Sequence, residues 1–118
     1  MSTETTTFLA YGVHIPLPAR TDIGDEADRV EDALRAWKEQ CPDVRCLTAE
    51  TLTGDHLFLT TRCEHIAAGT FRTNVTSSVI SEHIADWKRQ LNTAVHALGY
   101  HQLPGLSEPD WMVVNDYR

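Results

Sequence analysis

The chain is poor in basic residues, with 10 lysines and arginines against 17 aspartates and glutamates and a formal net charge of −7. Neutralising nucleic-acid phosphates requires a basic surface, so we expect no nucleic-acid partner. The chain also lacks an apolar run approaching the roughly 20 residues of a membrane-spanning helix, so we expect no membrane partner. Its first residues, MSTETTT, have neither the basic start nor the apolar core of an export signal, which predicts a cytoplasmic protein.

Cysteine is scarce as well, and an odd count of three in a chain without an export signal predicts free thiols. The nearest candidates for metal ligands are Cys41, Cys46, Cys63 and His65. Structural zinc sites use paired cysteines on a tight turn, whereas Pro42 separates Cys41 from Cys46 and no second pair follows. We therefore expect no metal site and no cofactor.

Recognisable catalytic motifs are missing too. The sequence contains no His-Glu-x-x-His pattern, no glycine-rich phosphate loop and no nucleophile elbow. A cysteine–histidine pair that meets only in space stays open, since its members need not be close in sequence. We assign no catalytic residue, and the sequence favours a non-enzymatic protein.

Two helices are predicted. Ser78–Leu98 carries an apolar stripe at three- and four-residue steps, with a cap at Ser77, Ser78 or Ser81 and a left-handed C-terminal cap at Gly99. This stripe consists of Ile80, Ile84, Trp87, Leu91, Ala94 or Val95, and Leu98. The other helix spans about Glu26–Gln40, with Asp22 or Asp25 as its cap and Val30, Leu34 and Trp37 as its stripe.

Four strands surround these helices in sequence. Branched and aromatic residues predict strands at Thr6–Ile15, Val44–Ala49, His56–Ile66 and Trp111–Asp116. The order β-α-β-β-α-β is typical of the α+β ferredoxin-like sandwich, a four-stranded antiparallel sheet with both helices on one face. We expect one domain over residues 1–118, with 1–5 frayed and the first and third strands central.

One face of such a sheet has no helix on it. Strand alternation places Phe8, His14, Phe58, Arg62 and Glu64 on this open face, whereas Leu57, Leu59, Thr61 and Cys63 lie under the helices. Either Met112 and Val114 or Trp111 and Val113 join the open face from the last strand. A mixed aromatic and charged surface is typical of ligand binding or self-association, so these five residues are the candidate site.

Three segments carry a resemblance that spans most of the chain: LAYGVHIP near the start, DHLFLTTRCEHI in the middle, and ALGY with PDWMVVNDYR near the end. They resemble small α/β proteins of actinobacteria and their phages. The resemblance implies a compact intracellular protein with an accessory or host-interaction role. Its motifs are structural, so it implies no activity and no residue role.

Three functions follow as hypotheses. The first is an interaction protein that binds a protein partner or forms a homodimer through the open face or an edge strand. The second is a small-molecule binder or cofactor-independent enzyme, with His14 and Arg62 as polar contacts in a mostly apolar cavity. The third is an acidic effector that binds a basic host protein through the helix face around Asp28 and Glu31.

Overall fold

The computed structural model describes residues 5–66 and 78–117, with side chains of the second helix described from Glu82 onward. The elements are β1 (Thr6–Ile15), α1 (Ile23–Ala36), β2 (Arg45–Thr51), β3 (Gly54–Ile66), α2 (Ser78–Ala97), a 3-10 turn (Tyr100–Gln102) and β4 (Asp110–Asp116). The predicted connection 67–77, and the cap serines Ser77, Ser78 and Ser81, lie outside the residues or side chains described.

The strands form one sheet in the order β2-β3-β1-β4, and every neighbouring pair is antiparallel. Strands β1 and β3 are central, as predicted, and they are also the longest. Val30 of α1 and Leu91 of α2 pack in one cluster with Val13 and Leu59 of the sheet, so both helices cover the same face. An α+β domain with a four-stranded antiparallel sheet is therefore confirmed. No described helix is both long and apolar enough to cross a bilayer.

Both helix ends follow local chemistry. The carboxylate of Asp22 accepts a hydrogen bond from the Asp25 backbone N–H at 3.0 Å, which confirms Asp22 as the N-cap of α1. Gly99 adopts the left-handed conformation at φ 79°, as its predicted capping role requires. The prediction that α1 extends to Gln40 is wrong. The helix ends at Ala36, and the turn beyond it brings Cys41 into the core while leaving Trp37 41% exposed.

A β-bulge between β1 and β3 changes which residues share a face. Tyr11 lies opposite Arg62 and Gly12 lies opposite Thr60, so Thr61 is an extra residue in β3. Cross-strand partners point to the same face, which puts Arg62 and its ion-pair partner Glu64 on the helix-covered side.

The predicted placement of Arg62 and Glu64 beside Phe58 is therefore wrong, because strict alternation across an extra residue inverts the assignment. Cys63, predicted to be buried under the helices, is exposed and lies opposite Ala10. The alternation used for the sequence holds only up to the bulge.

The open face curls over on itself. The Tyr117 backbone N–H donates to the Glu50 carbonyl at 2.8 Å, and the Glu50 N–H donates to Asp116 Oδ1 at 3.0 Å. These two bonds join the outer strands β2 and β4. Beneath them lies a small apolar cluster, here named the outer core, which comprises Phe8, Leu47, Ala49, Phe58, Met112 and Val114.

Phe58 faces away from the helices, as predicted, but the prediction of an exposed side chain is wrong, because only 7% of Phe58 is accessible. Curling of the sheet supplies the cover that the helices do not. Of the two alternatives for the last strand, Met112 and Val114 face the outer core. Trp111 packs against the helix-side core instead.

The bulge requires glycine at position 12, and this can be tested. A Cβ on Gly12 would lie 2.1 Å from the Leu59 carbonyl oxygen, a rigid backbone atom. We expect Gly12→Ala to lower the free energy of unfolding by about 3 kcal/mol in urea denaturation, since the two strands must separate to admit the methyl group.

Gly24→Ala is the matched control. Its Cβ would meet only the flexible Asp22 carboxylate, at 3.4 Å, on an exposed helix turn. Alanine is the better helix former, so stability should hold or rise slightly. Equal stability of Gly12→Ala and the parent protein would contradict this account of the bulge.

Candidate functional site

A cleft of about 530 Å³ lies against the open face, beside the outer core. Its floor is β1 from Gly12 to His14, and its sides are the start of β4 and the β2–β3 turn at Thr51, Leu52 and Thr53. The apolar residues that line it are Phe58, Met112, Val114 and Tyr117, together with Val113 and with Trp111, whose side chain also packs against the helix-side core. The polar lining comes from His14, Thr51, Thr53, Ser107, Glu108, Asp110 and Asn115. Most of the lining surface is apolar, and these seven side chains supply its polar groups.

His14 lines this cleft, and its imidazole meets that of His56, which lies just outside the lining. His14 Nε2 lies 3.0 Å from His56 Nδ1, within hydrogen-bond distance, and the ring centroids are 5.0 Å apart. The Phe58 ring packs 5.2 Å from the His14 ring and limits access of water on that side. Thr53 Oγ1 lies 2.7 Å from His56 Nε2 and holds the second imidazole in place.

The fold explains why these residues converge. His14 and Phe58 are cross-strand partners in β1 and β3, and His56 is two residues before Phe58 on the same face. Thr53 is in the tight turn that joins β2 to β3, one residue before Gly54 at φ 113°. The two imidazoles thus project from paired strands, and Thr53 of the hairpin turn contacts His56.

Burial lowers the pKa of His14, and the neighbouring His56 lowers it further. His14 therefore stays neutral at a pH where an exposed histidine already takes up a proton. A neutral imidazole can accept a hydrogen bond or a proton from a bound molecule, which makes His14 the group of this cleft best suited to polar recognition.

The five sequence-predicted site residues separate into three groups. His14 and Phe58 come together in the cleft. Phe8 belongs to the outer core but packs against His65, with ring centroids 6.0 Å apart, and does not line the cleft. Arg62 and Glu64 form an ion pair on the other side of the sheet, so Arg62 cannot be the predicted polar contact beside His14.

The sequence interpretation missed His56, Thr53 and Asp110. His56 could have been found, since it precedes Phe58 by two residues and strand alternation gives both the same face. Thr53 and Asp110 had no such indication. Thr53 reaches the site through the hairpin turn, and Asp110 reaches it through the register that pairs it with Gly12.

Outside the cleft, one histidine and two cysteines of the described chain pack against neighbouring residues. His83 stacks on Trp87, one helical turn away, with ring centroids 5.5 Å apart. Burial raises the pKa of the Cys41 thiol, and it raises that of Cys46 to about 11. Both thiols are thus protonated near neutral pH and poor nucleophiles. Within residues 5–66 and 78–117, no three His, Cys, Asp or Glu side chains gather as metal ligands would.

The lowered pKa of His14 predicts a pH dependence of stability. Between the folded pKa and the ordinary value of 6.5, the unfolded chain binds more protons than the folded chain. The free energy of unfolding should therefore fall as pH drops below about 6.5, and His14→Gln should lack that part of the loss. Urea denaturation from about pH 7.5 to about pH 5.5 measures both proteins.

The exposed His65 offers the control for this experiment. His65→Gln leaves the His14–His56 pair in place, so it should keep the part of the pH dependence that comes from His14. If His14→Gln and the parent lose the same stability on acidification, His14 does not titrate as its surroundings require.

Comparison of this chain with protein-family models, with curated proteins and with solved structures finds no match. No role is therefore transferred to any residue from another protein. The roles of His14, His56 and Thr53 come from their contacts and their chemistry.

Proposed function

We propose that this protein binds a small molecule with an apolar body in the cleft beside the outer core. The observation that carries the proposal is a cleft of about 530 Å³ with apolar walls that His14 also lines, its imidazole held 3.0 Å from that of His56. Its volume falls within the roughly 300–1,000 Å³ typical of ligand sites. The proposal concerns binding, and no reaction step is assigned to the site.

The cleft is well built for binding because its walls are held from both sides. Phe58 and Val114 belong to the outer core, only 7% and 4% accessible, so the apolar floor is already ordered without a ligand. Leu52, by contrast, is 87% exposed at the rim. A ligand that covered Leu52 and the aromatic wall would remove apolar surface from water, which favours binding.

For the fold itself we propose a ferredoxin-like arrangement, supported by the central position of β1 and β3 and by both helices lying on one face. An intracellular accessory role, with this cleft as its working part, is consistent with that arrangement.

A fragment screen tests the binding proposal. We expect chemical-shift changes in 1H–15N spectra to cluster at Gly12, His14 and Val114 when a fragment binds. His14→Gln should weaken such fragments by about tenfold, the typical worth of one hydrogen bond. His65→Gln, outside the cleft, should bind them as the parent protein does. Hits that cluster on another surface, or a screen without hits, would overturn the proposal.

A second candidate function is self-association along β4, and one observation favours it. Val113 is 64% exposed in the middle of this outer strand, which pairs only with β1 over most of its length. An outer strand with an exposed branched residue can pair with the same strand of a second copy. The resulting homodimer would extend the sheet and leave the outer core intact.

Light scattering during gel filtration tests this second candidate. A homodimer predicts that the mass doubles as concentration rises, and that Val113→Lys returns the protein to a monomer through charge repulsion across the two-fold pairing. Leu52→Lys serves as the control, because it introduces the same charge on the β2–β3 hairpin turn instead of on β4. A monomer at every concentration would remove self-association from consideration.

A further inference from the structure

We infer that the cleft selects a ligand that donates hydrogen bonds, a small amine with an apolar body, because Thr51 and Thr53 fix His14 as an acceptor. This inference rests on the proposed small-molecule function and adds the chemical class of the ligand. It assigns positioning roles to Thr53 and Thr51. Each step follows from hydrogen bonds and charges at the cleft.

The first step concerns Thr51, whose hydroxyl has a single hydrogen. Thr51 Oγ1 donates that hydrogen to the Gly54 carbonyl at 3.2 Å, since a carbonyl can only accept. Thr51 Oγ1 also lies 3.0 Å from Thr53 Oγ1. With its own hydrogen in use, Thr51 must accept in that contact, so the Thr53 hydroxyl is the donor.

The second step carries the same logic to the imidazoles. The Thr53 hydrogen points to Thr51, so Thr53 Oγ1 accepts at its 2.7 Å contact with His56 Nε2. His56 therefore carries its proton on Nε2. Neutral imidazole has one N–H, which leaves His56 Nδ1 as an acceptor. His14 Nε2, at 3.0 Å from that nitrogen, must then donate.

The third step gives the consequence for the cleft. With its proton on Nε2, neutral His14 has a lone pair on Nδ1, and no protein donor to this nitrogen is found in the described part of the chain. The His14 imidazole is thus an acceptor of fixed orientation, and a ligand that contacts its Nδ1 must donate a hydrogen bond.

The charges around the cleft favour the same class of ligand. Glu108 and Asp110 line it, and its lining includes neither lysine nor arginine. Glu108 lies 3.7 Å from Lys88, which offsets its charge, whereas Asp110, exposed as well, accepts a hydrogen bond from the Trp111 backbone N–H and has no ion-pair partner within the described residues. Asp110 faces a cleft with aromatic walls, and an ammonium group is attracted by both carboxylate and ring faces. An anionic ligand would meet repulsion here.

Nitrogen-15 NMR tests the orientation of the imidazoles directly. At about pH 7.5, with the pair neutral, the spectra should show His14 and His56 both protonated on Nε2. Thr53→Val removes the acceptor and should produce a mixture of tautomers at both rings, whereas Thr53→Ser should restore the parent spectrum. A His14 ring protonated on Nδ1, or unchanged tautomers in Thr53→Val, would overturn the assignment.

Three probes with one apolar body test the ligand class: 2-phenylethylamine, 2-phenylethanol and 3-phenylpropionate. We expect the amine to bind about tenfold or more tightly than the carboxylate in NMR titrations, with the alcohol between them. Asp110→Asn should reduce the preference for the amine over the alcohol. Asp28→Asn, on the exposed side of α1, should preserve it.

The results of these titrations distinguish failure of the proposed ligand class from failure of the proposed binding function. If all three probes bind the cleft with similar affinity, or if the carboxylate binds best, small-molecule binding stands and the inference about ligand class fails. If none of the probes and no fragment of the screen binds there, the proposed function fails together with it.

Discussion

The close approach of the β1 and β3 backbones at Gly12 is the constraint on which the rest of this structure depends. A side chain at this position would collide with the Leu59 carbonyl, so the strands can come this near only with glycine there. The extra residue Thr61 lies immediately beyond, and a bulge of this kind increases the local twist of a sheet. Strong twist brings the outer strands together over the open face.

That curl gives the sheet two cores instead of one. On one side, the helices bury Val13 and Leu59 in the main core. On the other, the bonds that the Glu50 backbone accepts from Tyr117 and donates to the Asp116 carboxylate close β4 against β2 and cover the outer core. A four-stranded sheet with helices on one face would otherwise leave Phe58 in water. The cleft forms beside His14 because the curled sheet covers the outer core but does not cover His14.

A buried side-chain amide joins the second helix to the residues just before the sheet in the described part of the chain. Gln90 of α2 is 1% accessible, and its amide donates to Asp43 Oδ2 at 2.9 Å and Asp86 Oδ2 at 2.8 Å while accepting from the Asp43 N–H. A buried amide so fully bonded ties α2 to the segment before β2. The Thr51–Thr53–His56–His14 series satisfies a similar need at the cleft, where each hydrogen has one acceptor.

Much of the architecture could be predicted from local patterns. Helical spacing, the caps at Asp22 and Gly99, and strand alternation gave the elements, the central strands and the shared face of the helices. Where prediction failed, a nonlocal event intervened. Alternation predicts the wrong face for Arg62 and Glu64, because one extra residue reverses the face of every side chain that follows it. The residue type of Thr61 gives no indication of a bulge. Helical spacing likewise predicts Trp37 within α1, but the helix ends at Ala36 and Trp37 lies in the turn that follows.

For the candidate site, the sequence alone determined that His14 and Phe58 share a face away from the helices, because side chains alternate along each strand. Only the tertiary structure decided that Phe58 is buried, that His56 bonds to His14, and that Thr53 and Asp110 join them. These depend on strand register, on curling of the sheet and on a hairpin turn. Such features arise from contacts between residues far apart in the chain, which local spacing does not encode.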